Sequence, residues 1–227
     1  MTKKLKILTA LSITLLLLFF FFVFILKFVD VAPIGPEESN VGLSSLNAAF
    51  AKLFPYNSSF FTLTDWTIAL GILVAAIFGI LGLYQLLSRK SFSKVDSDIF
   101  VLGGTYIIII VSYVIFDMFS LNSRPVIIDS VLEPSFPSTH TMVILSVFAT
   151  AIHQINFRVT KKMIRYALTA FCVLFMIFSV ISRLITGVHW FTDIIGAIIL
   201  SAFFFITYFT ICEYIKNTKT KKAQKNE

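Results

Sequence analysis

The stretch Ser182–Asp193, SRLITGVHWFTD, decides how the rest of the chain is read. It joins two apolar segments: Ser182 and Arg183 end the first, His189 and Asp193 open the second, and Gly187 supplies a tight turn between them. A cation, a histidine and a carboxylate therefore meet at one membrane surface. Upstream, Arg124 and Pro125, and then Pro137, Ser138, Thr139 and His140, stand at the edges of other apolar segments and supply the other half of the same set.

Composition sets the frame around this stretch. Of 227 residues, 57% are hydrophobic, 26 are Phe and only 14% are charged, far from the balance of a soluble domain. A helix needs about 20 apolar residues to cross the bilayer core, and six stretches come close to that length. The expectation is an all-α polytopic membrane protein with six transmembrane helices, residues 1–227 forming a single membrane domain. The first run, Ile7–Leu26, is longer than the apolar part of a signal peptide and has no small-residue cleavage site after it, so it reads as a retained span. Further spans are expected at about 66–87, 99–116, 138–157, a segment ending at 181, and 190–215. Between Lys27 and Asp65, apolar residues from Val41 to Leu53 recur at roughly helical spacing, which fits an interfacial helix and equally a loop packed on the span ends. The lysine-rich C-terminus reads as a solvated or headgroup-touching tail. Cys172 and Cys212 lie in apolar segments without CxxC spacing, which excludes redox-motif and zinc readings.

Charge reports orientation. With six spans, fifteen of the 19 Lys and Arg fall on one side, with Lys27, Lys52, Arg124 and Arg183 on the other. The positive-inside rule makes the crowded side, and both termini, cytoplasmic. The net charge of +7 is thereby explained by topology, and no nucleic-acid partner is implied. Span parity then puts the Arg124 loop, the start of the fourth span and the Gly187 turn together on the outer face.

The chemistry these residues suggest is anion handling. Pro137, Ser138 and Thr139 before an apolar run signal a helix N-terminus with a hydroxyl free to cap, and such an end is a ready anion site. His140 follows where a proton donor to a phosphate's leaving oxygen would stand. Arg124 and Arg183 bring guanidinium groups that bind phosphate oxygens in pairs. His189 and Asp193 are one helical turn apart, so the carboxylate can orient one ring nitrogen and leave the other as a nucleophile. Taken singly, each feature equally fits an ordinary cap, a surface pair or an arginine reaching for headgroups. His153 lies roughly 20 Å along a helix from His140, so the three histidines do not form a metal site, and no carboxylate cluster offers one.

Together the residues resemble the type 2 phosphatidic acid phosphatase family, which includes bacterial acid phosphatases and vanadium haloperoxidases. Its motifs are KxxxxxxRP, PSGH and SRxxxxxHxxxD. Ser182, Arg183, His189 and Asp193 match the third in full, Pro137, Ser138 and His140 match the second, and Arg124 and Pro125 match the first. The resemblance implies a phosphatase-like core at about 99–215, with His189 attacking phosphorus to form a phosphohistidine and Asp193 orienting it. His140 would protonate the leaving oxygen and then activate water, while Arg124, Ser138, Thr139, Arg183 and nearby backbone N–H groups hold the phosphate oxygens. It implies no metal and no cofactor. Two positions depart from the family. Asp117 stands where the motif has lysine, removing a phosphate-binding cation unless Lys52 or Lys27 reaches in or Asp117 points away, and Thr139 replaces glycine. The expected function is a lipid phosphate or pyrophosphate phosphatase at the outer face of the cytoplasmic membrane, acting on undecaprenyl pyrophosphate, phosphatidylglycerol phosphate or phosphatidic acid. A lipid phosphotransferase and a weakened lipid-phosphate-binding or transport protein are the alternatives.

Overall fold

The computed structural model describes residues 2–119 and 121–226, with 223, 225 and 226 described by backbone alone; the side chain of Lys225, counted above in the tail, lies outside the described set. Eight α-helices follow in order among the described residues: α1 (Lys3–Phe28), α2 (Ser44–Leu53), α3 (Ser58–Asp65), α4 (Thr67–Arg89), α5 (Ser97–Met118), α6 (Thr139–Arg158), α7 (Lys162–Ile185) and α8 (Phe191–Asn226). The all-helical expectation holds, and among the described residues extended pairing is limited to isolated bridges such as Ala32 with Val41 and Ser123 with Pro134.

Among the described residues, five helical stretches are long and apolar enough to cross a membrane: α1, α3 continued into α4, α5, α7 and α8. The expected fourth span, α6, has the length but not the hydropathy. Its position explains the difference. At 20 residues it runs about 30 Å, and it packs against α4, α5, α7 and α8. A helix packed against four others can carry buried Thr141, Ser146, Thr150 and Gln154 without exposing them to hydrocarbon. Lipid-facing apolar side chains belong instead to the outer helices, as with Leu17, Ile107, Ile110 and Leu174.

Three segments are defined more closely. The fifth segment, expected to end at 181, continues as helix to Ile185, so Ser182 and Arg183, which end it, form its last turn and are buried. The C-terminal tail is helical through Asn226, an extension of α8. The polar segment after α1 forms two short helices, α2 and α3, with Asn57 accepting from the Phe60 N–H at the start of the second.

The two ends of the bundle differ. Helix α1 lies along α8 with Ser12 bonded to Thr207 and Lys4 paired to Glu213 at 2.9 Å, so the N-terminal end of α1 and the later turns of α8 share one end. At that end Arg158 reaches Asp96 at 2.8 Å and Asp98 at 2.6 Å, while Arg89 reaches Asp96 at 2.7 Å and Gln85 completes the set. The apolar core, including Phe19, Phe136, Met142, Leu200 and Phe204, lies between this network and the opposite end, where the motif residues gather.

Asp96 is the hub of the network. Hydrogen bonds from Arg89 and then Arg158 hold its carboxyl down at about 2, against the usual value near 3.8. A lowered folded-state value contributes stability that is present above about pH 4 and lost as pH falls towards 2. Asp96→Asn should therefore lower the Tm of the detergent-solubilised protein at pH 7 and flatten the fall in Tm between pH 4 and 2, measured by thermal unfolding across that range.

Candidate active site

The site is built where α6, α7 and α8 meet the Arg124 loop and the corner between α3 and α4. The α7–α8 turn depends on Gly187. Its φ of +67° is left-handed, and a Cβ there would come within 2.7 Å of the Phe54 carbonyl oxygen and the Tyr56 nitrogen. That close approach seats the turn on the linker between α2 and α3, where the Asn57 N–H also donates to the Thr186 carbonyl at 3.1 Å. Helix α2 braces the start of α8. Buried Asn47 donates to Thr192 Oγ1 and accepts from the Thr192 N–H, and Phe50 stacks on Phe191 with ring centroids 3.9 Å apart.

His189 and Asp193 come together, but not by a simple direct pair. Nδ1 of His189 lies 3.6 Å from Asp193 Oδ2 and 3.1 Å from Ser135 Oγ, and the Ser135 hydroxyl itself donates to Asp193 Oδ2. With the serine proton spent on the carboxylate, Ser135 Oγ accepts from Nδ1–H, which leaves the lone pair on Nε2. Burial holds the His189 imidazole below its ordinary value, with Asp193 opposing the shift, so the ring is neutral and Nε2 is nucleophilic at neutral pH. Asp193 Oδ2 also accepts the Trp190 N–H at 2.8 Å, and the Asp193 carbonyl accepts the Ser138 N–H at 3.1 Å. The second and third motifs are thus tied directly together. Trp190 Nε1 donates to the Ser123 carbonyl at 2.7 Å, which ties in the first.

Ser135 was missed in the sequence. It lies two residues before Pro137 with no distinguishing signal of its own, and only the fold brings it between His189 and Asp193. Ser138 is fully buried at the head of α6, and its hydroxyl bonds Thr141 Oγ1 at 2.9 Å instead of capping a backbone N–H. Its expected place at the helix start is correct, and the expected cap is not made. Ser182 also turns inward, donating to the Ser179 carbonyl.

The second group centres on Arg183, only 2% exposed. Its Nη2 donates to Asp65 Oδ1 at 2.6 Å and contacts His140 Nδ1, and the guanidinium lies over Phe61. Nε and Nη1 find no hydrogen-bond acceptor among the described residues. Buried N–H donors of this kind are costly unless an anion meets them. His140 Nε2 is 2.7 Å from Thr67 Oγ1. Asp65 and Thr67 belong to no motif and were not anticipated.

Arg124 is held by Glu133 twice, through a 3.0 Å ion pair and a 3.0 Å bond from its own N–H to the Glu133 carbonyl. With Thr139, Ser135, Glu133 and Asp117 it lines a polar cavity of about 320 Å³. Asp117 therefore does not point away from Arg124's surroundings, and neither Lys27 nor Lys52 lines that cavity. Tyr113 lines both this cavity and an apolar groove of about 460 Å³ between α4, α5 and α6. His153 lies far along α6, bonded through Nδ1 to Tyr208 Oη at 2.9 Å, and does not converge with His140 and His189.

A model of the PAP2 superfamily matches residues 76–216, which takes in part of α4, all of α5, α6 and α7 and most of α8. No curated protein matches the chain. Among solved structures the chain is similar to the crystal structure of the first transmembrane PAP2 type phosphatidylglycerolphosphate phosphatase from Bacillus subtilis. The identity is 19%, the TM-score 0.56, and the alignment covers 90% of this chain and 96% of that one. At that identity the likeness speaks for the fold, while the family match spans more than half the chain. The chain belongs to the PAP2 superfamily and is a multi-pass membrane protein.

Proposed function

We propose that this protein is a metal-independent phosphatase for a lipid phosphate or pyrophosphate, working through a phosphohistidine on His189. The observation that carries the reading is the His189–Ser135–Asp193 chain, which frees Nε2 as a nucleophile. Nε2 attacks phosphorus while His140 gives a proton to the leaving oxygen; water then attacks the phosphohistidine and returns its proton to His140. Arg183, Arg124, Ser138, Thr139 and the first N–H groups of α6 hold the phosphate oxygens. Arg183 is best supported, since two of its buried donors have no acceptor among the described residues. Lipid substrates are favoured by the apolar groove that shares Tyr113 with the polar cavity. Undecaprenyl pyrophosphate, phosphatidylglycerol phosphate and phosphatidic acid are the candidates, the second being the class acted on by the Bacillus subtilis protein.

One membrane domain of six spans accounts for the chain in this reading, α6 being the sixth. Its length and enclosure support this, as does the pairing of Lys4 with Glu213, which brings the two chain ends to one end of the bundle. The basic end is cytoplasmic and the site faces outward, by the positive-inside rule. Asp117, which lines the same cavity as Arg124, favours a second reading, a site weakened towards lipid-phosphate binding, and a transferase using an acceptor other than water would form the same intermediate.

Three outcomes test these readings. Quenching purified enzyme during turnover should trap acid-labile phosphate on the wild type and none on His189→Ala; trapping on His189→Ala would remove His189 from its role, and no trapping on the wild type would favour the binder. The rate of trapping should hold up as pH falls through 6.5, the ordinary imidazole value, because buried His189 stays neutral to lower pH. In intact cells an impermeant thiol reagent should label Ser130→Cys and spare Thr220→Cys, and the reverse pattern would overturn the orientation.

A further inference from the structure

We infer that Thr67, at the corner between α3 and α4, is a positioning residue that fixes the His140 ring so that Nδ1 transfers the proton. The inference rests on the reading of His140 as the proton donor. The Thr67 hydroxyl donates to the Thr64 carbonyl at 2.6 Å, so its oxygen faces His140 Nε2 at 2.7 Å as an acceptor. Nε2 therefore carries a hydrogen. The other side of the ring gives the same answer independently. Nδ1 faces Arg183 Nη2, and a guanidinium only donates, so Nδ1 holds the lone pair.

Asp65 marks what Nδ1 is for. Its Oδ1 is 2.6 Å from Arg183 Nη2 and 3.7 Å from His140 Nδ1, so a carboxylate oxygen lies within reach of the cation and the ring nitrogen together. That oxygen stands in for an oxygen of the phosphate ester, and the Asp65 side chain, 54% exposed, is free to yield to one. With substrate bound, Nδ1 takes the acidic proton of the phosphate ester monoanion, and the ring then gives Nε2–H to Thr67 and Nδ1–H to the leaving oxygen. As the bond from His189 Nε2 to phosphorus forms, the bond to the leaving oxygen breaks and that oxygen takes the Nδ1 proton. In the second half, water attacks phosphorus, the P–N bond breaks, and the water proton goes to Nδ1 and departs with the released phosphate, which restores the neutral ring. The Nε2 proton never leaves, because Thr67 keeps it. The two histidines thus work as opposite tautomers, His189 holding its hydrogen on Nδ1 and His140 on Nε2.

The test compares leaving groups in the full-length protein in detergent. Phosphatidic acid loses an alkoxide, which needs a proton, while p-nitrophenyl phosphate loses a phenolate that needs little help. Thr67→Val should lower kcat on phosphatidic acid by about 10- to 100-fold with KM nearly unchanged. On p-nitrophenyl phosphate the loss should be much smaller, and Thr67→Ser should restore most of the phosphatidic acid rate. Equal losses on both substrates, or no rescue by serine, would overturn the inference. His140→Ala separates the two levels. If it discriminates between the leaving groups and Thr67→Val does not, Thr67 alone is ruled out; if it does not discriminate, the role given to His140 falls and the inference with it. Should Thr67→Val not fold, nitrogen NMR of histidine-labelled wild type decides. The signal lost in His140→Ala is expected to be a neutral ring protonated on Nε2, and one protonated on Nδ1 refutes the inference.

Discussion

A carboxylate with no solvent exposure at all, that of Asp193, obliges its surroundings to supply hydrogen bonds. Moving such a group out of water costs several kcal/mol unless its lone pairs are met. Here Oδ2 takes the Ser135 hydroxyl and the Trp190 N–H, Oδ1 meets no donor among the described residues, and the backbone carbonyl of the same residue takes the N–H of Ser138. The entry to α6, the α7–α8 turn and the first turn of α8 are consequently one unit. His189 takes its place as part of that unit, with its ring set by Ser135 and only Nε2 left to react.

Helix α6 transmits this order through the membrane. It starts at Ser138, locked to Asp193, and ends at Arg158, locked to Asp96 and Asp98. Along its length most buried polar groups are satisfied within the bundle, the Ser146 hydroxyl being an exception. Thr150 donates to the Ser146 and Val147 carbonyls, Ser201 reaches the Met142 carbonyl, and Gln154 joins Tyr208 to Arg158. In hydrocarbon each unsatisfied group would cost several kcal/mol, so a helix this polar is viable only at the centre. The four surrounding helices make it viable, and its fixed ends make it the strut that separates the site from the ion network.

The segment between α1 and α4 carries no motif, yet it closes the site. Asn47 and Phe50 hold the start of α8, the Phe54–Asn57 linker receives the Gly187 turn, and Asp65 and Thr67 reach Arg183 and His140. A motif arginine with only 2% exposure needs a carboxylate close by when no phosphate is bound. Asp65 fills that need from a short helix at the membrane surface. Arg124 is treated alike by Glu133. Both motif cations are thus partnered by acids that a phosphate would compete with.

The sequence alone determined what depends on local pattern. Apolar runs of bilayer length gave the helices, and Gly187 gave the turn, because only a residue without Cβ accepts that φ against the Phe54 carbonyl. The spacing of His189 and Asp193 put them within reach of each other, although His189 precedes α8 and shares no helix with Asp193, and the motif order named Arg124, Ser138, His140 and Arg183. Tertiary structure decided the rest. Ser135 entered the pair at His189 across 54 residues of chain, Asp65 met Arg183 across 118, and Thr67 met His140 across 73. No periodicity encodes such meetings. The 138–157 run was legible as a helix of bilayer length, but its central place among α4, α5, α7 and α8, which accounts for its low hydropathy, was decided by packing alone.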